Sequence, residues 1–169
     1  VCFAVKSLSN ISILKILKDK GCGFDIVSGG ELSRVMLAGA DPQKIIFSGV
    51  GKSKNEIVLG IKNDVLSFNI ESSSELYRIE EVAKDLGKIA PVSIRFNPDV
   101  DSGGHDYITT GRKGDKFGIS SIEDILSLSE YISNSESLKI VGVACHIGSQ
   151  ILGLDSYKAA ARKTIELAD

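Results

Sequence analysis

Apolar residues along this chain follow two alternating rhythms. Short, nearly unbroken apolar runs fall at about 1–5, 23–27, 44–48, 65–70, 91–96 and 139–146. Runs such as Lys44-Ile45-Ile46-Phe47 and Ile140-Val141-Gly142-Val143-Ala144 lack the polar alternation of a half-solvated strand. They read as strands covered on both faces. Between them, apolar residues recur at helical spacing. Asn10 precedes Ile11, Ile13, Leu14, Ile16 and Leu17 as a cap, and Gly21 stops that helix. A second helix is expected from Glu31 to Ala38, closed by Gly39. Ser53, with Glu56 three residues on, has the form of a capping box. Ser73 opens a longer helix that Gly87 ends, and Ser121 to Ile132 and Asp155 to Leu167 complete the set.

Strand–helix alternation predicts an α/β fold with a parallel sheet and helices outside it. Most units repeat every 20–25 residues or so, which favours a (β/α)8 TIM-type barrel with about six of its eight units present. A doubly wound sheet has the same periodicity, so the pattern alone leaves it open. One stretch breaks the rhythm: Asn97 to Asp115 is polar, glycine-rich and longer than a minimal connection. In a barrel, chemistry gathers where strands end. Those ends carry Lys6, Asp25 to Glu31, Ser48-Gly49, Glu71, Arg95-Phe96-Asn97 and His146-Ile147-Gly148-Ser149. An amine, carboxylates, a guanidinium, an imidazole and hydroxyls thus share one register.

Lys6 closes the run Phe3-Ala4-Val5. A strand-end amine can attack a carbonyl and form a Schiff base; a solvated surface lysine is the plainer reading. Gly49-Val50-Gly51-Lys52-Ser53 invites comparison with a phosphate loop, but Ile46 stands where that motif needs its first glycine. Lys54 likewise spoils a dinucleotide fingerprint, leaving a tight turn ahead of a helix. Neither His105 nor His146 has a second ligand at metal spacing, so no metal site is expected. His105 is either solvated or a substrate contact. His146 is either a satisfied core histidine or a flat ring that stacks on a flat cofactor, with Gly148-Ser149 beyond it suited to a phosphate.

Composition narrows the classes. A formal charge of −2 without a basic block gives no electrostatic footprint for nucleic acid or an anionic membrane. No apolar run approaches the ~20 residues of a membrane span. Cys2, Cys22 and Cys145 are odd in number and show no CxxC spacing, which fits a reducing cytoplasm. Val1 is no initiator methionine and the final residues read as a helix still running, so an internal piece of a longer protein is expected.

At this point an ordered set of motifs carries a resemblance. Phe3-Ala4-Val5-Lys6 resembles the lysine motif of fold-type III pyridoxal-phosphate decarboxylases, and Asp25-Ile26-Val27-Ser28-Gly29-Gly30-Glu31-Leu32 resembles a second segment of theirs. Phe47 to Lys52, Arg95-Phe96-Asn97-Pro98-Asp99-Val100, Lys116-Phe117-Gly118-Ile119 and His146-Ile147-Gly148-Ser149-Gln150 follow in order. With His105-x-Tyr107-Ile108-x-Thr110-Gly111, the set is most similar to the diaminopimelate decarboxylase branch.

The resemblance implies an alanine-racemase-like barrel in which Lys6 holds pyridoxal 5'-phosphate covalently and His146 stacks on its ring. It further implies that Ser149 helps bind the phosphate and that Asp25 and Arg95 line the lysine side of the pocket. His105 and Tyr107 would lie toward the substrate. It implies conversion of meso-diaminopimelate to lysine and CO2 by a homodimer whose remaining site residues and C-terminal β-domain lie beyond residue 169. The fragment alone would then be inactive. Phe3 replaces the usual tyrosine and Ser7-Leu8 the usual Ala-Asn pair. A sister decarboxylase of ornithine, arginine or carboxynorspermidine, or a non-catalytic cofactor carrier on the same barrel, is the alternative.

Overall fold

The computed structural model describes residues 1–100, 117–149 and 151–168. Strands and helices alternate throughout: β1 (Cys2–Ala4), α1 (Ile11–Asp19), β2 (Gly23–Ile26), α2 (Gly29–Leu37), β3 (Ile45–Phe47) and α3 (Lys54–Lys62). There follow β4 (Ser67–Ile70), α4 (Ser73–Leu86), β5 (Ala90–Arg95), α5 (Ile122–Ser133), β6 (Leu138–Ala144) and α6 (Asp155–Ala168).

Side-chain caps set the helix starts. Asn10 Oδ1 accepts the Ser12 and Ile13 N–H groups at 3.0 and 3.3 Å. Ser28 caps α2, so that helix begins at Gly29, ahead of the Glu31 expected from its apolar spacing. Helix α4 opens at Ser73 as expected, capped by Ser72, and Gly87 ends it in the left-handed conformation at φ 60°. The Ser53–Glu56 capping box forms, and Glu56 also accepts the Gly29 N–H at 2.8 Å, tying the start of α3 to the start of α2.

The six strands form one sheet in the order β1-β2-β3-β4-β5-β6, each pair parallel. A doubly wound sheet reverses its order at a switch point. No reversal occurs here, so the topology is that of a barrel wall, with β1 and β6 as its two open edges.

Successive residues point to opposite faces. Phe24, Ile26, Ile45, Phe47, Phe68, Ile70, Val92 and Ile94 are fully buried among the helices, in one cluster with Leu14, Leu32, Val35, Ile57, Leu76 and Ile79. The alternating residues are Asp25, Ile46, Ser67, Asn69, Ser93 and Arg95, which face the concave side. Ser67 and Ser93 bond across it at 2.8 Å. On the outside, Glu80 of α4 accepts the Tyr131 hydroxyl and the Ser135 hydroxyl, each at 2.6 Å, pinning α4 to α5 and the turn after it. Among the described residues no helix is long and apolar enough to cross a membrane.

Candidate active site

Lys6 stands two residues past β1. Val5, buried, donates its N–H to Asp25 O at 3.0 Å, and Leu8 N–H closes a turn on Val5 O at 2.9 Å. Between these anchors Lys6 takes a left-handed conformation at φ 41°. The other non-glycine residues so placed among those described are Asp64 and Asp99, a residue type that tolerates it. For lysine the conformation costs on the order of 1 kcal/mol and persists only where its surroundings impose it.

The concave ends of the strands enclose a pocket of about 210 Å³. Lys6, Asp25, Ser48, Asn69, Arg95 and His146 line it together with Cys145 and the Gly49 backbone. The sequence assigns Lys6, Asp25, Arg95 and His146 to one site, and the fold brings all four to one cavity. Ser149 is exposed and is not among the lining residues. His105 and Tyr107 lie outside the described residues.

Asp25 and Arg95 are each held by a neighbour. The Ser48 hydroxyl donates to Asp25 Oδ1 at 2.5 Å and accepts from Asn69 Nδ2 at 3.0 Å. Arg95 donates to Glu71 Oε1 at 2.6 Å, and its guanidinium lies 5.8 Å from the centre of the Phe117 ring. The second Glu71 oxygen is buried without a hydrogen-bond partner. Burial, then the positive charges of Arg95 and Lys6, holds the His146 imidazole below its ordinary pKa, outweighing Asp25 and Glu71. At neutral pH the ring is therefore uncharged, flat and suited to stacking.

Beneath the pocket lies Lys52, which the sequence places in a turn and in a family motif without giving its side chain a role. The Lys52 side chain is fully buried. Its amine donates to Gly49 O at 2.6 Å, Asn69 O at 2.7 Å and Glu75 Oε1 at 3.1 Å. The turn reading of Gly49 to Ser53 is correct as far as it goes: Gly49 has φ 93° and Ser53 caps α3. Asn69, a polar residue inside the run Ser67-Phe68-Asn69-Ile70, was the available signal for the concave face; Glu75 is hidden as one acidic residue of a helix.

A larger cavity, about 440 Å³, opens at the opposite ends of the strands between Leu66, Ile89, Pro91 and Val141. It gathers Lys139, Asp64 and Gln43 but no imidazole, thiol or guanidinium. In a parallel barrel wall that end serves stability, not chemistry. Among the described residues, no group of three His, Cys, Asp or Glu side chains is placed to hold a metal ion.

A parallel barrel wall that presents an amine, a neutral imidazole and a braced carboxylate and guanidinium at its C-terminal rim defines a class of α/β barrel protein with a polar site at its strand ends. Within that class, the chain belongs to the pyridoxal-dependent decarboxylases: the family's pyridoxal binding domain matches residues 1–169. It is 51% identical over 169 residues to the diaminopimelate decarboxylase of Neisseria meningitidis serogroup B, covering 100% of this chain and 41% of that protein. Identity to the diaminopimelate decarboxylase of Haemophilus influenzae is 47%, over 100% of this chain and 40% of the relative.

The crystal structure of diaminopimelate decarboxylase from Helicobacter pylori complexed with L-lysine superposes with a TM-score of 0.95. It is 43% identical and covers 98% of this chain and 42% of that one. The chain thus spans about 40% of the length of the curated relatives it matches. The pocket fits the family's cofactor: pyridoxal phosphate carries an aldehyde and a flat ring, and an amine and an imidazole, those of Lys6 and His146, line one cavity.

Proposed function

We propose that this chain is the greater part of the cofactor-binding barrel of a diaminopimelate decarboxylase, which releases CO2 from meso-diaminopimelate to give lysine. The observation that carries the reading is the convergence of Lys6, Asp25, Arg95 and His146 on one pocket in a chain so similar to enzymes of that name. When bound, pyridoxal phosphate supplies an electron sink for the pair left behind as CO2 departs.

The chain's own residues bind and orient. Lys6 would hold the cofactor through its amine, and the left-handed backbone at Lys6 sets the direction from which that side chain leaves the strand end. His146 presents a neutral face to the ring. Asp25, fixed by Ser48, and Arg95, fixed by Glu71, set the charge and orientation on the lysine side. By the family resemblance, Ser149 is assigned to the phosphate and His105 and Tyr107 to the substrate. The C-terminal β-domain and the partner subunit of a cytoplasmic homodimer complete the site.

The test uses the intact protein. Borohydride reduction followed by peptide mass analysis is expected to find the cofactor on Lys6, and Lys6→Ala to lose that adduct. A Lys6→Ala protein that keeps a reducible bond to the cofactor overturns the assignment. CO2 release is expected from diaminopimelate; release from ornithine or arginine instead refutes the substrate.

A further inference from the structure

Lys52 lies outside the pocket, yet its amine holds two backbone carbonyls of pocket-lining residues, Gly49 and Asn69. Its third acceptor is Glu75 Oε1. The other oxygen of Glu75 accepts the Glu71 N–H at 2.8 Å, and Glu71 Oε1 in turn takes Arg95. An unbroken chain of contacts therefore runs from a buried amine through the Glu75 carboxylate to the Glu71 backbone, and from the Glu71 side chain to a guanidinium in the pocket wall. Two positive and two negative groups make up the chain, so it is neutral overall.

Stability alone is a poor reason for this arrangement. Removing a lysine from water is expensive, and a buried ion pair is often no better than apolar packing of the same volume. Burial pushes the Lys52 amine below its ordinary pKa even though Glu75 opposes it. A turn ahead of a helix needs no buried charge: Ser53 already caps α3. What the charge achieves is a fixed location for Glu75, and through it for Glu71, whose remaining oxygen has no partner to hold it.

We propose that Lys52 is a positioning residue for the pocket, acting through Glu75 and Glu71 to set where Arg95 stands and so how tightly the pocket holds its cofactor. The proposal rests on the cofactor reading above. It assigns Lys52 no contact with cofactor or substrate.

The experiment is a double-mutant cycle in the intact protein, read as the dissociation constant of pyridoxal phosphate by equilibrium dialysis. Lys52→Met is expected to weaken binding about tenfold, in the range of coupled neighbours. Arg95→Lys weakens it as well. The double variant is expected to bind no worse than the weaker of the two singles, because both changes break one chain. A purely structural role predicts the opposite: independent losses that multiply in the double variant, and that result overturns the proposal. Glu75→Gln, which leaves Lys52 its two carbonyl acceptors, is run through the same cycle, so that the coupling is measured even where Lys52→Met fails to fold. Wild-type protein that fails to bind pyridoxal phosphate brings down the cofactor reading and this proposal with it. Binding by wild type with multiplying losses brings down this proposal alone.

Discussion

Replacing Gly60 with alanine puts a methyl group into space already filled by the sheet. A Cβ there would stand 2.6 and 2.8 Å from two ring atoms of Phe68 and 3.3 Å from Phe47. Carbon atoms pack best near 3.5–4.0 Å, so the overlap approaches ~1 Å. Neither ring can withdraw. Both are fully buried, and they stack on each other with centroids 5.7 Å apart. Helix α3 must move outward, loosening Ile57 and Ile61 from the core. Overpacking of this kind costs about 1–3 kcal/mol, against a helix-propensity gain for alanine of about 1 kcal/mol. The overlap wins, and a net loss of about 1 kcal/mol is expected. Gly51→Ala is the control: its Cβ meets nothing within 4 Å, and shrinking the freedom of the unfolded chain gains about 0.4–1 kcal/mol. Urea midpoints of the two variants should therefore move in opposite directions. Equal stability of Gly60→Ala and wild type would refute the claim that the Phe47–Phe68 stack sets how close α3 comes.

Two further outcomes concern protonation. With two histidines in this chain, NMR titration with His105→Gln for assignment should place His146 below the ordinary imidazole pKa, and Lys6→Met should raise it by removing one of the positive charges that depress it. Since the folded value lies below the unfolded one of about 6.5, His146 costs no stability above about 6.5, and the cost grows as the pH falls below that and is complete below its folded pKa; an unshifted His146 would contradict the pocket geometry. Tyr131, donating to Glu80, is pushed up to about 12, so one tyrosine should ionise there in ultraviolet titration and return toward 10 in Glu80→Gln. That contact's share of stability is fully present below pH ~10 and lost as the pH rises through about 12; a Tyr131 that titrates with the other tyrosines denies the α4–α5 pin.

The fold was legible because its elements repeat a local rule. Uninterrupted apolar runs mark strands buried on both faces, and Asn10, Ser53, Ser121 and Gly87 mark helix ends through bonds made within a few residues. Where a boundary moved, as at Ser28, a polar cap outranked the apolar spacing that had pointed to Glu31. Barrel against doubly wound sheet was not legible from periodicity, since both repeat strand and helix; only the order of pairing separates them.

The site divides along the same line. Lys6, Asp25, Arg95 and His146 could be found because a parallel sheet brings strand ends to one rim, so position along the chain serves as position in space. What braces them could not be found that way. Lys52 and Glu75 are 23 residues apart, and although Lys52 sits in a recognisable glycine-rich turn, nothing along the chain links it to Glu75 or marks either as buried. Their pairing follows from the curl of a turn at Gly49 that brings an amine under the ends of β3 and β4. A buried charge network has no period to read, because its cost and its compensation sit on residues that meet only once the sheet has formed. That is also why it bears on function: a lysine excluded from water can be kept only by acceptors at fixed places, and two of the three here are walls of the pocket.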